Sequence, residues 1–196
     1  GVSCTVPLKE AARLRFPADH IVGVWWCGSE EDVLPAGDAA KGYYSANWHG
    51  SGKDFPLVQE IIDKVYGSMK GHIAFTRVGS VYWSRGVWAG VVNEEAIRTA
   101  HKKFGVKVLT GEEIRWGMEN LDITEERIAE LGLTGFMSPI KTSCENHEGG
   151  KIVLFQQWDG EKWISAGNQT PMEEFVQARH KESALKYAKE QGITRS

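Results

Sequence analysis

Residues 23–42 read G-V-W-W-C-G-S-E-E-D-V-L-P-A-G-D-A-A-K-G, and the rest of the chain is organised around them. The stretch begins as a short apolar run that ends in Trp25 and Trp26. It then passes through three consecutive acids and finishes in a segment punctuated by proline and glycine. This pattern predicts a strand, a long loop and a second strand. Strand ends of open α/β sheets face the crevice in which ligands bind, so we take this loop as the candidate site.

Composition and charge exclude several classes of protein. The 196 residues are 41% hydrophobic, which is enough for a sizeable core, and the net charge of -3 comes from interspersed acids and bases. No basic face indicates nucleic-acid binding, and no apolar run approaches the roughly 18 residues that span a bilayer. The first residues also lack a basic segment followed by an apolar core, so we expect no export signal and no membrane anchor in this sequence.

The three cysteines, Cys4, Cys27 and Cys144, are too few and too scattered to predict a disulfide framework. Their odd number leaves at least one thiol unpaired within the chain, and they do not decide the cellular compartment. The Cys144-x-x-His147 spacing could form half of a zinc site, but a second ligand pair at comparable spacing is absent. We therefore expect neither a metal nor another cofactor.

Hydrophobic periodicity predicts alternating helices and strands outside the central stretch. The longest helical pattern covers residues 80–104, and Gly105 is placed to end it. Asp159-Gly160 predicts the turn of a β-hairpin over residues 151–165. The other predictions are helices over residues 6–15, 54–65, 110–120, 124–132 and 170–189, strands over residues 21–25 and 43–48, and a loop over residues 67–79. Asp54 and Thr124 would cap two of these helices, and capping boxes at residues 110–113 and 170–173 would open two others.

The beginning of the chain predicts a folding unit that has lost its first strand. The first helix would have Leu8, Ala11, Ala12 and Leu14 on its inner side. The strand after it, residues 21–25, is continuously apolar, which is typical of a strand buried on both faces of a parallel sheet. A helix followed by a strand implies an earlier strand that this chain does not contain.

Three features in fixed order carry a resemblance to a known family. They are the W-W-C-G-S-E-E-D-V-L-P-A-G-D-A-A-K-G loop at residues 25–42, the Y-W-S-R-G…E-A-I-R-T-A helix at residues 82–100, and the C-E-N-H-E-G-G-K-I-V-L-F-Q-Q-W-D-G hairpin at residues 144–160. Together they resemble the substrate-binding component of branched-chain amino-acid-type ABC importers, which is a type I periplasmic binding protein. The similarity extends to about Trp163 and corresponds to the second half of such a protein.

The resemblance implies an α/β fold with portions of two three-layer lobes that face each other across a cleft and are joined by hinge crossings. Residues 1–40 would be part of the C-terminal lobe, and residues 41–149 part of the N-terminal lobe. Residues 150–196 would return to the C-terminal lobe. The missing N-terminal half of the protein would supply the remaining strands of both sheets.

The resemblance also nominates ligand-binding residues. In the family, the strand end that corresponds to residues 24–28 lies against the ligand, which nominates Trp25 and Trp26. Because side chains alternate along a strand, we expect one of the two to contact the ligand and the other to pack in the core or over the hinge. Ser3 and Cys4 would lie near a neighbouring strand end. Glu30 is the candidate for a ligand amine, although a tryptophan falls nearer the position of the acid that often binds it. All three acids, at positions 30, 31 and 32, are more typical of a solvated loop.

On one turn of the long helix, Tyr82 and Arg85 are candidates for the rim of the cleft. A solvated helix face is the more common explanation for such residues.

The implied function is that of an extracytoplasmic solute-binding protein, here a fragment, located in the periplasm or outside the cell at the membrane. It would capture a small polar solute, an amino acid or amide, and present it to the membrane permease of an ABC importer. Binding would be non-covalent, so we expect no catalytic residue and no enzyme activity.

Two alternatives belong to other classes. One is a Cys/His α/β hydrolase that uses Cys144 and His147, with Glu145 or Glu148 orienting the histidine. The other is a cytoplasmic ligand-sensing domain of a signalling protein that uses the same binding fold.

Overall fold

The protein is described by a computed structural model that covers residues 2–150, 152–170 and 173–193. Its strands are β1 Val22–Gly23, β2 Tyr44–Asn47, β3 Asp122–Ile123, β4 Ile140–Lys141, β5 Val153–Trp158 and β6 Trp163–Gln169. The main sheet has the order β1-β2-β5-β6, and β3 pairs with β4 in a small second sheet. β1 and β2 are parallel, whereas the other neighbouring pairs are antiparallel.

The helices of the described residues are α1 Val2–Arg13, α2 Glu30–Val33, α3 Pro56–Ile61, α4 Val81–Phe104, α5 Gly111–Glu119, α6 Glu125–Glu130 and α7 Glu173–Glu190. Short 3₁₀ turns lie at Ala18–His20, Trp25–Cys27, Leu34–Ala40 and Phe75–Arg77, and a π turn at Ile62–Tyr66 continues α3. None of the described helices combines the length and the apolar character needed to cross a bilayer.

Local sequence signals explain several of these elements. The helix predicted over residues 80–104 is confirmed as α4, and Gly105 ends it with a positive φ of 85°. The capping box that opens α5 is confirmed, because Thr110 accepts a hydrogen bond from the Glu113 amide at 3.3 Å and its own amide donates to the Glu113 carboxylate at 2.9 Å. The hairpin is confirmed as β5 and β6, with Asp159 accepting two backbone hydrogen bonds in the turn.

Two hydrophobic cores hold the structure together. The first core lies between α3, α4, α6 and the small sheet and consists of Val58, Val91, Val92, Ala96, Leu121, Ile123, Ile128, Leu133, Phe136, Met137 and Ile140. The second core lies against the main sheet and consists of Leu8, Val33, Ala36, Ala40, Tyr43, Val81, Trp158 and Trp163. Helix α4 contributes to both cores, since Val81 at its start belongs to the second core and Val91, one of its later residues, belongs to the first.

The strand predicted over residues 21–25 is wrong in both length and burial. Only Val22–Gly23 forms β1, and the side chains of Val22 and Val24 are 60% and 59% exposed. The physical reason is that β1 is an edge strand of the described sheet, with a neighbour on one side only. A continuous apolar run therefore marks a surface that the described residues leave open.

Two helix predictions and one loop prediction need correction. In α1, Leu8 is buried as predicted, but Ala12 and Leu14 are exposed, and Leu14 lies beyond the last helical residue, Arg13. Phe55 rather than Asp54 occupies the N-cap position of α3. The long loop predicted between the two strands is instead a series of helical turns within residues 25–40. The tail helix is confirmed as α7, whereas part of its predicted capping box, residues 171 and 172, lies outside the described residues.

Candidate functional site

The two tryptophans of the central stretch lie on a 3₁₀ turn, Trp25–Cys27, that follows β1. Their rings stack on each other with centroids 3.7 Å apart. Trp25 is half-buried and also meets the edge of Trp48 at 4.9 Å, while Trp26 forms the outer layer and is 61% exposed. The two stacked rings therefore form a partly exposed aromatic surface just after β1.

Two hydrogen bonds and one close approach fix the turn against the sheet. The Gln156 side-chain amide donates to the Gly28 carbonyl at 2.7 Å, and the Ser45 hydroxyl donates to the Val24 carbonyl at 3.3 Å. A Cβ at position 28 would lie 2.2 Å from the Ser45 hydroxyl oxygen, so this position requires glycine. The site thus rests on residues from β2 and β5 rather than on a free loop.

The Arg85 side chain, on the second turn of α4, is the centre of an aromatic cluster. The central carbon of its guanidinium lies 4.6 Å from the ring of Trp48, 5.1 Å from that of Trp25 and 5.2 Å from that of Tyr82. These distances are those of cation–π contacts. Burial lowers the pKa of the Arg85 guanidinium, but arginine remains charged in proteins. The cluster therefore holds one positive charge among three rings.

His49 orients this guanidinium through a hydrogen bond. The Arg85 Nε–H donates to His49 Nε2 at 3.3 Å, and His49 Nδ1 lies 2.8 Å from the carbonyl oxygen of Gly50. Because arginine can only donate, Nε2 carries the lone pair and Nδ1 carries the proton that is donated to Gly50. Burial lowers the pKa of His49 to about 4. The imidazole is therefore neutral, and it keeps one edge of the guanidinium in place.

A groove of about 770 Å³ adjoins this cluster, because Trp25 and Trp48 also line the groove. Its other walls are mainly apolar, with Trp88, Ala89, Val92, Met118, Leu121, Ile140 and Ile152. Its polar wall residues include Arg115, Glu119, His147 and Glu148. An apolar groove with a few polar groups in its walls suits a small solute rather than a macromolecule.

Each of the three consecutive acids has a protein partner. The Val81 amide at the start of α4 donates to the Glu30 carboxylate at 3.1 and 3.3 Å. Burial raises the pKa of Glu30, and hydrogen bonds from the backbone oppose this shift. Glu31 pairs with Arg77, and Asp32 is fully buried in a capping box with Ser29. The expectation of a solvated acid is therefore wrong for Asp32, whereas the Glu31 side chain is 33% exposed. The Ser29-x-x-Asp32 spacing is the sequence signal for that box.

Replacing Glu30 by alanine is expected to lower the free energy of unfolding by about 1 kcal/mol, because the first amide of α4 loses its anionic acceptor. Urea denaturation followed by circular dichroism measures the change. The matched control is Glu94→Ala on the exposed side of the same helix, which removes an ion pair with Arg98 and should cost no more than about 0.5 kcal/mol. If Glu30→Ala instead left stability unchanged and abolished solute binding, Glu30 would be a ligand-binding residue.

The two candidate residues near the start of the chain do not lie at a strand end, contrary to the prediction. Ser3 and Cys4 belong to α1, and the Ser3 side chain lies outside the described part of the chain. Cys4 forms a disulfide bond with Cys27, with 5.4 Å between their Cα atoms. This bond ties α1 to the turn that carries the tryptophans. Of the predicted ligand-binding residues, Trp25 alone lies in the wall of the groove; whether any of them contacts a solute stays a prediction.

The residues of the hydrolase alternative do not form a catalytic pair in the described structure. The Cys144 thiol is exposed and free, and the His147 Nε2 atom lies 3.6 Å from the Glu119 carboxylate. No hydrogen bond joins Cys144 to His147 within the described residues. The same part of the chain contains no group of three His, Cys, Asp or Glu side chains that could hold a metal ion.

Sequence reasoning missed Trp48 and His49 as site residues and named Arg85 only as a rim candidate. Trp48 and His49 come directly after β2, which is the same strand-end signal that nominated Trp25 and Trp26. Applying that signal to the second predicted strand as well would have found them.

The fold is that of the type I periplasmic binding proteins, and the solved structures similar to it are ABC transporter substrate-binding proteins of the leucine/isoleucine/valine-binding type. The resemblance found in the sequence is thereby confirmed. The chain spans a little under half of the length of the solved proteins that it matches. No protein-family model and no curated protein matches it.

Three of the solved structures illustrate the similarity. The first is described as an ABC transporter permease from the Pseudomonas fluorescens group. It is 40% identical to this chain, with a TM-score of 0.95, and the match covers 100% of this chain and 48% of that one. The chain is 22% identical to a branched chain amino acid ABC transporter from Thermus thermophilus with bound valine, with a TM-score of 0.61, over 86% of this chain and 43% of that one. It is 18% identical to a solute binding protein of an ABC transporter from R. palustris in complex with benzoate, with a TM-score of 0.54, over 86% of this chain and 40% of that one.

Proposed function

We propose that this chain is part of an extracytoplasmic solute-binding protein that captures a small polar solute, an amino acid or amide, for an ABC importer. The observation that carries the proposal is the cluster of Trp25, Trp48 and Arg85, whose two tryptophans also line an apolar groove. Aromatic walls supply contact area, and a few fixed polar groups orient the solute. The membrane permease of the importer would be the partner that receives it.

The two cores would belong to the two lobes of the complete protein. Residues 1–40 and 150–196 would be part of the C-terminal lobe, with the second core, and most of residues 41–149 part of the N-terminal lobe, with the first core. Strand β2 pairs with both β1 and β5, which favours a crossing after Asn47 rather than at residue 41. The exposed apolar edge at Val22 and Val24 is available to strands from the other half of the protein.

An extracytoplasmic location agrees with the covalent chemistry of the chain. The Cys4–Cys27 disulfide bond is the kind of cross-link that persists in the periplasm or outside the cell and is rare where glutathione and thioredoxin keep thiols reduced. A cytoplasmic sensor would not be expected to keep it. This observation therefore favours the transport function over the sensing alternative.

Binding in this proposal is a population shift between open and closed lobes. The solute would lie against Trp25 and Trp48 and touch the facing lobe at the same time. Closure would be favoured only to the extent that solute contacts bridge both lobes, and it would exclude water from the cluster around Arg85. Nothing in this cycle requires a covalent step.

A thermal-shift screen of the protein encoded by the complete reading frame tests the proposal. We expect some amino acids, amides or small aromatic acids at 1 mM to raise the melting temperature by several degrees, whereas glucose and maltose leave it unchanged. Trp25→Ala should weaken the binding of such a solute at least about 10-fold, because it removes a wall of the site.

Two outcomes would contradict the proposed function. One is that no solute of these classes binds to the correctly folded protein. The other is that the protein hydrolyses acyl esters and that Cys144→Ala abolishes the turnover, which would establish the hydrolase alternative.

A further inference from the structure

We propose that Arg85 recognises a carboxylate of the solute, so that the protein selects small carboxylates over the corresponding amides. This inference rests on the proposed function and narrows its solute class. It places the anion-binding group on α4, within the chain described here.

The first argument is an uncompensated charge. Arg77, Arg98, Arg115 and Arg127 each pair with a glutamate. Arg85 has no carboxylate within ion-pair distance among the described residues, although it is half-buried and framed by three rings. Desolvating a guanidinium is costly unless an anion approaches it. Cation–π contacts offset part of this cost, and a solute carboxylate would offset the remainder.

The second argument is a pair of unused hydrogen-bond donors. Arg85 Nη2 and Trp48 Nε1 are both buried, and neither has an acceptor among the described residues. The two donors belong to side chains in contact with each other, because the guanidinium carbon of Arg85 lies 4.6 Å from the centre of the Trp48 ring. A carboxylate offers two oxygens that can accept from two such donors, whereas a primary amide offers one oxygen and brings two competing N–H donors.

The third argument is preorganisation. His49 accepts from Arg85 Nε and so fixes the edge of the guanidinium that faces the protein. His49 is itself fixed by its hydrogen bond to the Gly50 carbonyl. A planar donor group held in this way loses little further freedom when an anion binds, which favours affinity.

The lobes provide the route to these buried donors. Trp25 lies on the turn after β1, beside the second core, whereas Arg85 lies on α4. In the proposed lobe opening the Trp25 ring would move off the guanidinium and admit the carboxylate. The apolar part of the solute would then lie in the groove beyond Trp48, against Trp88 and its apolar neighbours.

The test compares matched carboxylates and amides by isothermal titration calorimetry on the protein encoded by the complete reading frame. The probe pairs are isovalerate with isovaleramide and benzoate with benzamide. We expect the better-fitting carboxylate to bind at least 10-fold more tightly than its amide, which is the value of one charge-assisted hydrogen bond. This comparison needs no variant and so does not depend on whether a substitution folds.

Three variants assign the preference to particular atoms. Arg85→Gln should reduce the carboxylate preference to less than about 3-fold. Trp48→Phe keeps the ring but removes the donor, and should weaken carboxylate binding several-fold while leaving amide binding unchanged. Arg98→Gln is the matched control, because Arg98 also lies on α4 but already pairs with Glu94 and does not line the groove. It should retain the full preference.

The inference and the proposed function fail in different ways. Equal or tighter binding of the amides, or an undiminished carboxylate preference in folded Arg85→Gln, would overturn the role of Arg85 while leaving a solute-binding protein in place. Absence of binding by both probe pairs and by the wider solute screen would overturn the proposed function itself.

Discussion

Replacing Cys4 and Cys27 together by alanine is expected to lower the free energy of unfolding by about 3 kcal/mol. The disulfide closes a loop with a sequence separation of 23, and cross-links of this span restrict the unfolded chain by about that amount. The bond also joins α1 to the turn that carries Trp25 and Trp26, so its loss should weaken solute binding as well. Urea denaturation of the double variant and of the wild-type protein measures the difference.

The chain contains its own control for this experiment. Cys144 is free and exposed, so Cys144→Ala should change the free energy of unfolding by less than about 0.5 kcal/mol. Adding a reductant to the wild-type protein should reproduce the effect of the double variant. Alkylation of all three thiols in the folded, unreduced protein, with unchanged stability of the double variant, would show that the bond does not form.

Acidification is expected to destabilise the protein through His49. The pKa of His49 is lowered to about 4, from the ordinary value near 6.5, because the imidazole is buried beside the Arg85 guanidinium. The unfolded chain therefore binds a proton at a higher pH than the folded chain. The stabilisation is fully present above pH 6.5 and is lost progressively as the pH falls to about 4. It amounts to about 3 kcal/mol, at 1.36 kcal/mol for each pKa unit.

Urea midpoints at pH 7.5, 6.5, 5.5 and 4.5 measure this loss. The difference between the wild-type protein and His49→Gln isolates the contribution of His49, because Glu30, whose pKa is raised, titrates in both proteins. His72→Gln, which removes an exposed histidine, should keep the wild-type slope. A slope in His49→Gln equal to that of the wild-type protein would contradict a neutral, buried His49.

The parts of the fold that sequence predicted are those with local signals. Helix α4 has apolar side chains at helical spacing over its whole length, and the turn before β6 has the Asp-Gly pair that a hairpin favours. Capping at Thr110 and Thr124 depends on residues three positions apart and can be recognised without tertiary structure. The family resemblance was visible for the same reason, since its three segments are each short and contiguous.

The parts that could not be predicted depend on tertiary contacts. The pairing of Cys4 with Cys27 requires α1 to lie beside the turn after β1, and no spacing rule gives that contact. The cluster around Arg85 unites positions 25, 48 and 85, which are far apart in sequence. Glu30 was assigned to a ligand because sequence does not show that the start of α4 lies within its reach.

In the proposed lobe motion, the two ends of helix α4 would move by different amounts. It is 24 residues long, about 36 Å, and its first residue, Val81, is held in the second core while its later turns carry the first core. A 10° rotation about Val81 would carry Phe104 through about 6 Å but Arg85 through only about 1 Å, at 1.5 Å per residue. In the proposed lobe motion, a pivot there would make the displacement large at the outer end of the helix and small at the guanidinium. The Arg85 charge would therefore stay almost stationary, and it would be uncovered by movement of the Trp25 ring rather than by movement of the helix.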